Sequence, residues 1–270
     1  MRADGPAAEA VEAVDATPRV ASPPVERFER EYRAASRPVV LTGLADGAHL
    51  RERWSLARLR AAHGGAPVPV ARVRGRDLVV DPARGVVQDP GSLGAFLDAV
   101  AAAAPGGYLM AREEELPPEL RRDLEVPRYC AGARWKVSRL WVASQETVSL
   151  LHRDLADNLH TLVAGEKVFT LIAPAQSRRV YPHGLLAGMP NSARFDLDRP
   201  DYERFPRARG VARQVVRLAP GETLFIPHGW WHHVRTLPGS LSINTWWARG
   251  WRLPLVAGAD WFKRLRGISR

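Results

Sequence analysis

A mainly β fold, a jelly-roll or cupin-type sandwich with flanking helices and an α/β part ahead of it, is what the apolar pattern of this chain predicts. Three observations carry that prediction. After about Ala133 the chain reads as eight short β-rich runs broken by turn residues. Two of the breaks, Ala164-Gly165-Glu166 and Pro220-Gly221-Glu222, have the composition of tight hairpin turns. Before Ala133, helix-period and strand-period segments alternate instead.

Taken in order, residues 1–24 are rich in Ala, Pro and Glu, lack apolar periodicity and end in Ser22-Pro23-Pro24, so a flexible leader outside the fold is expected. Residues 25–132 form the expected α/β part, packing on the barrel. Arg27 to Ala35 is helical in pattern, Pro38 to Leu44 is β-rich, and Ser55 to His63 is a helix with Ser55 as N-cap. Val68 to Val73 is extended. Ser92 to Ala104 is a capped amphipathic helix stopped by Pro105-Gly106-Gly107. Tyr108 to Ala111 is a short strand, and Pro117 to Leu124 a short helix with prolines at its start. Residues 133–250 are the expected jelly-roll domain, with strands at Trp135–Ala143, Val148–His152, Asn158–Val163, Lys167–Ala173, Val211–Leu218, Thr223–Pro227, His232–Leu237 and Ser240–Trp247. Ala175 to Gly210 is a long Pro-, Arg- and Asp-rich interval, expected to lie over one mouth of the barrel. Residues 251–270 are expected to form a short helical tail.

The 270 residues suffice for a sizeable core, and 46% hydrophobic content argues against disorder throughout. A net charge of +10 would suit a polyanion partner. Only three lysines contribute to it, Lys136, Lys167 and Lys263, and the arginines are scattered, so nucleic acid is a disfavoured partner. A single cysteine, Cys130, precludes an internal disulfide and a Cys-rich zinc site. No apolar run reaches the ~18 residues of a membrane span. Asp4, Glu9, Glu12 and Asp15 stand where a signal peptide needs a basic head, and a cytoplasmic location is expected.

His152-Arg153-Asp154, with His232 in the run Trp230-Trp231-His232-His233, supplies two imidazoles and a carboxylate. That is the donor set of a non-heme Fe(II) site with coordination positions left for a co-substrate and O2. Residues two apart on a strand share a face, so His152 and Asp154 can aim at one point, and a sandwich can bring the strand of His232 opposite. His233 then points to the other face. His160, His183 and His228 lack the ligand spacing. His152-Arg-Asp-Leu also occurs in the protein-kinase catalytic loop, but the Gly-rich loop, the lysine strand and Asp-Phe-Gly are missing, and Asn158 comes one residue early.

The run from Thr147 to Pro174 resembles the JmjC-type cupin-like oxygenases, in particular their asparaginyl-hydroxylase branch. The likeness continues through Tyr181-Pro182, Pro200 to Pro206, Pro220 to Pro227, Trp230 to His233 and Ser242 to Trp246. It implies a JmjC-like double-stranded β-helix, with Fe(II) held at His152, Asp154 and His232 and with 2-oxoglutarate and O2 as co-substrates. Lys167, expected on the strand facing that of His152, matches the cation for the distal carboxylate of 2-oxoglutarate. Tyr108, Ser149, Asn158 and Asn244 match positions that bind or border the co-substrate, Ser149 standing where that branch has threonine. Trp246 matches a wall of the iron pocket, and Trp231 is expected there with it.

The implied activity is hydroxylation of an unactivated carbon, on a protein or peptide side chain or a small metabolite, with release of succinate and CO2. Alternatives are a catalytically silent peptide- or nucleic-acid-binding module of the same fold, a tRNA-nucleoside hydroxylase, and a cupin using another metal. About twenty residues follow Ala248. They are fewer than the helical pair through which the resembled hydroxylases dimerise, so monomer and homodimer both stay open.

Overall fold

The structure, a computed structural model, describes residues 17–44, 47–81, 85–122, 124, 126–184 and 191–265. Of the expected leader, residues 1–16 lie outside them. The rest of it belongs to the fold, contrary to expectation. β1 (Arg19–Ala21) pairs in parallel with β2 (Val39–Thr42), and Thr17 is buried, donating to Gln214 Oε1 at 2.9 Å. Backbone pairing, the Thr17 hydroxyl and an ion pair of Arg19 with Glu222 at 3.1 Å dock this segment, none of which shows as apolar periodicity.

The strands of the N-terminal part are β3 (Pro67–Ala71), β4 (Val73–Arg74), β5 (Asp77–Leu78), β6 (Val80–Asp81), β7 (Gly85–Val86), β8 (Gln88–Ser92) and β9 (Tyr108–Arg112). The eight strands expected after Ala133 are all present. They are β10 (Trp135–Ala143), β11 (Thr147–Arg153), β12 (Asp157–Ala164), β13 (Lys167–Ile172), β14 (Gln214–Leu218), β15 (Thr223–Ile226), β16 (Trp231–Thr236) and β17 (Leu241–Ala248). They divide four and four, as a jelly roll requires. β15-β12-β17-β10 run side by side in a larger sheet, and β14-β13-β16-β11 in a smaller one. The N-terminal strands widen these sheets: β1 and β2 extend the larger one beyond β15, β9, β3 and β8 extend it beyond β10, and β5 and β4 extend the smaller one.

The two turn triplets do not close hairpins. β12 pairs with β15 and β17, whereas β13 pairs with β14 and β16, so residues 164–166 carry the chain from one sheet to the other. Residues 220–222 do the same between β14 and β15. Gly165 sits at φ +78°, where an added Cβ would fall 2.5 Å from Ser240, so only glycine fits this crossing.

Between the sheets lies an apolar layer that includes Leu162, Phe169, Leu171, Val216, Leu218, Leu224 and Ile226. Fully burying a side chain of this size contributes roughly 1.5–3 kcal/mol. Helices cover the outer face of the larger sheet. α1 (Val25–Phe28) continues into a wider turn through Arg33. α2 (Gly47–Arg53), with Leu50 as its one large apolar residue and so not foreseen, precedes α3 (Leu56–His63). Ser55 caps α3 and Ser92 caps α4 (Leu93–Ala101), accepting from Arg58 N at 3.4 Å and Ala95 N at 3.3 Å. α5 (Pro118–Arg122) and α6 (Arg252–Leu265) complete the set. Among the described residues no helix is long and apolar enough to cross a membrane.

The interval after Ala175 is not simply a cover over a mouth. Its Val180, Phe195, Phe205 and Ala208, with Val211 just after it, pack on Leu151, Ile172 and Trp231, forming an apolar pad on the outer face of the smaller sheet. Its residues 191–193 run along the edge of β11, where Arg153 N donates to Asn191 O at 2.9 Å and Ala193 N to Leu151 O at 2.9 Å. Residues 185–190 lie outside the described ones.

Candidate metal centre and the pocket behind it

β11 and β16 are not opposite strands but antiparallel neighbours, with His152 paired directly to His232. The register of β11 shifts between Ser149 and His152, a bulge of the kind that re-aims side chains beside active sites. The two rings lie 4.2 Å apart, tilted by 54°. Asp154 follows just past the end of β11, where its carbonyl accepts from Gly229 N at 2.8 Å. His152, Asp154 and His232 bring one ligand atom each to within 4.8 Å of one another.

Hydrogen bonds prepare all three groups. His152 Nδ1 donates to Leu150 O at 2.7 Å and His232 Nδ1 to Trp230 O at 3.1 Å, which selects the tautomer whose Nε2 carries a free lone pair. Burial, aided by the adjacent His152, brings His232 down to about 4 despite the nearby Asp154, so it is neutral at physiological pH. Asp154 Oδ2 accepts from Trp246 Nε1 at 2.8 Å and lies 3.6 Å from His232 Nε2. Trp246 therefore holds the carboxylate as well as walling the pocket. Two imidazoles with their Nε2 lone pairs turned inward and an oriented carboxylate fit a divalent iron. His152 and Asp154 are only half-buried, so the group can be reached from solvent.

Deeper in the barrel is Lys167, only 1% exposed. It was expected on a strand facing that of His152; β13 and β11 are instead in one sheet, flanking β16. Lys167 pairs with Thr236, four residues along β16 from His232. That separation is ~13 Å at the rise of an extended strand. Lys167 Nζ donates to Tyr108 OH at 3.1 Å and to His160 Nε2 at 3.2 Å, and Tyr108 OH is 3.4 Å from Thr236 Oγ1. Trp141 and Tyr108 turn their rings toward the ammonium, 5.5 and 5.7 Å away. Among the described residues, no acidic side chain pairs with it. Burial pushes the Lys167 ammonium well below its usual range.

The other expected residues divide. Asn158 and Asn244 are buried together, Asn244 Nδ2 donating to Asn158 Oδ1 at 3.0 Å while its own Oδ1 accepts from Trp141 Nε1 at 2.6 Å. Ser149 is half-buried and pairs with Val234, between the levels of His232 and Thr236. Trp231 does not line the pocket. It adjoins His232 on an alternating strand, so it faces outward into the apolar pad, where Nε1 donates to Ser177 Oγ at 2.9 Å. His233 also faces outward, buried, 3.4 Å from Asp198 Oδ2. Sequence reasoning missed Trp141, Thr236 and His160. The alternation that places His232 and Asn158 inward was the signal for the last two. A separate groove of about 640 Å³, lined by Arg72, Asp89, Phe96 and Gln145 among others, includes none of these residues.

Known proteins share this arrangement of sequence. A model of the cupin-like domain family matches residues 25–251. Lysine-specific demethylase 8 of Xenopus tropicalis is 28% identical over 240 residues, which is 86% of this chain and 53% of that protein. Lysine-specific demethylase JMJ30 of Arabidopsis thaliana is 31% identical over 228 residues, 83% of this chain and 53% of that protein. Jumonji C domain-containing protein 5 of Drosophila melanogaster is 34% identical over 135 residues, 48% of this chain and 33% of that protein. The chain spans about half the length of the curated relatives it matches over most of its own. The nearness of its motifs to asparaginyl hydroxylases is a resemblance only. With most of its length matched by the family and a His-Asp-His group in place, the chain belongs to the cupin-like, JmjC-type oxygenases, a family that uses Fe(II), 2-oxoglutarate and O2.

Proposed function

We propose that the chain is a Fe(II)- and 2-oxoglutarate-dependent oxygenase that hydroxylates an unactivated carbon of a protein or peptide side chain, releasing succinate and CO2. One observation carries the reading: a half-exposed His-Asp-His group and a fully buried lysine without an acidic partner among the described residues lie in the same barrel, with His232 on β16 and with His152 and Lys167 on the strands either side of it. A 2-oxo dicarboxylate has one end for each. His152, Asp154 and His232 would hold the iron, which with 2-oxoglutarate and O2 supplies the oxidising power that no side chain has.

The remaining steps belong to the protein. Lys167 and the Tyr108 hydroxyl receive the distal carboxylate, in a pocket dry enough that a charge-assisted hydrogen bond is strong. Asn158, Asn244 and Ser149 border the body of the co-substrate between the two ends. Trp246 fixes Asp154, and with Trp141, whose ring centroid lies 6.1 Å from its own, it walls the pocket in aromatic surface that excludes water. A protein or peptide substrate is supported by the relatives named lysine-specific demethylases and by the half-exposed metal group, which a side chain on a larger molecule can approach.

Anaerobic addition of Fe(II) and then 2-oxoglutarate tests this reading. A visible charge-transfer band that needs both, followed in air by slow succinate formation, is expected. His152→Ala and Asp154→Ala should each lose the band and the succinate. A silent binding module would give neither signal in the unaltered protein, and full activity in either variant would sink the assignment.

A further inference from the structure

His160 lacks the spacing of a metal ligand, and the proposed reaction assigns it nothing. It is nonetheless 6% exposed, and its ring packs edge-on against Phe169 at 5.1 Å. It stands on β12 of the larger sheet, two residues after Asn158 and on the same inward face, whereas Lys167 rises from the smaller sheet. The 3.2 Å contact of His160 Nε2 with Lys167 Nζ therefore crosses the barrel.

An ammonium has three N–H donors and no acceptor. Tyr108 OH takes one and His160 Nε2 a second, both from groups on the larger sheet. With both contacts made, the lysine has a single N–H to offer a ligand. For His160 to accept, its Nε2 must be unprotonated. Burial first, and then the neighbouring Lys167 charge, favour that neutral form.

We propose that His160 is a positioning residue for the co-substrate: by accepting one N–H of Lys167 it aims the remaining one at the distal carboxylate of a 2-oxo dicarboxylate. The inference rests on the 2-oxoglutarate reading above. A leucine at this position would leave the buried ammonium one acceptor short, free to swing or to give up its proton. Either change weakens recognition of the distal carboxylate and leaves the keto-acid end untouched.

Binding measured without turnover tests it, with Mn(II) in place of iron under anaerobic conditions and calorimetry or quenching of tryptophan fluorescence as the readout. His160→Leu is expected to raise the Kd for 2-oxoglutarate on the order of ten- to a hundred-fold, as for a lost hydrogen bond to a charged group. The Kd for 2-oxobutyrate, which has no distal carboxylate, should move less than about two-fold, and His160→Gln, which keeps an acceptor, should recover most of the 2-oxoglutarate affinity. Unchanged 2-oxoglutarate binding in His160→Leu overturns the proposal. So does an equal loss for both keto acids, or failure of His160→Gln to recover affinity while its melting temperature matches that of the unaltered protein. If the unaltered protein with metal binds no 2-oxoglutarate, the proposed function fails first, a result distinct from the other three.

Discussion

Replacing Asp157 by asparagine should produce a stability defect that shrinks in acid. Its fully buried carboxylate joins four parts of the fold. Arg33, from the turn that follows α1, donates to Oδ2 at 2.9 Å, and Arg252 of α6 donates at 3.2 Å. His228, in the loop before β16, donates to Oδ1 through its backbone N at 3.0 Å and its Nδ1 at 3.1 Å. Burial by itself would raise the carboxyl; the two hydrogen bonds from His228, then the charges of Arg252 and Arg33, outweigh it and hold the group at about 2, against an ordinary 3.8. At ~1.4 kcal/mol per pH unit this difference corresponds to about 2 kcal/mol of folding free energy. A carboxyl held below its unfolded value stabilises the fold above pH 3.8, and that contribution disappears as the pH falls toward about 2. Urea unfolding of the unaltered protein and Asp157→Asn at a series of pH values should show a gap of at least about 2 kcal/mol near neutrality, since breaking a buried ion pair typically costs ~3–5 kcal/mol. The gap should narrow by about 2 kcal/mol in acid. A gap that stays constant from pH 6 to pH 2 would mean that the arginines and His228 do not bias the protonation of Asp157.

Two further outcomes probe the metal end of the barrel. Trp246→Phe keeps the ring but removes the donor 2.8 Å from Asp154 Oδ2, so Mn(II) or Fe(II) affinity measured by calorimetry should fall ~10–100-fold while the melting temperature changes little. Trp231→Phe should do the reverse. It removes the hydrogen bond to Ser177 and part of the outer apolar pad, costing about 1–2 kcal/mol in denaturant unfolding. Metal affinity should stay within two-fold, and a large drop would place Trp231 back in the pocket.

Much of the fold is legible in the sequence. β10 to β17 lie within a few residues of the expected runs because each is a short apolar segment bounded by turn residues. The pairing of those strands was not legible. Gly165 and Gly221 both have positive φ, and that chemistry serves a crossing between sheets as well as a hairpin. Nor does the sequence decide whether the strand of Lys167 faces that of His152 or shares its sheet, as it does. β1 was hidden for another reason, being three residues held by backbone pairing and one long-range ion pair, Arg19 with Glu222, too short for a side-chain pattern to reveal it. The outward side of Trp231 is legible in the sequence, because the alternation that turns His233 outward from His232 turns Trp231 outward too.

β16 explains why the outward residues matter as much as the inward ones. His232 at its start belongs to the metal group, and Thr236 at its end meets Tyr108 beside Lys167, so this single strand spans both ends of the proposed site. A slip of one residue would exchange its faces, bringing Trp231, His233 and Arg235 into the barrel and removing His232 and Thr236 together. The outer face opposes such a slip. Trp231 is fully buried in the pad that Val180, Phe195, Phe205, Ala208 and Val211 build, and Arg235 donates to Glu146 at 2.8 Å. Apolar burial and an ion pair on the outside thus hold the register in which a histidine and a threonine, neither a strong contributor to the core, face inward. The Arg- and Pro-rich interval contributes to the site through this register as well as through its run along β11, and it does so from the face of the sheet that the site never sees.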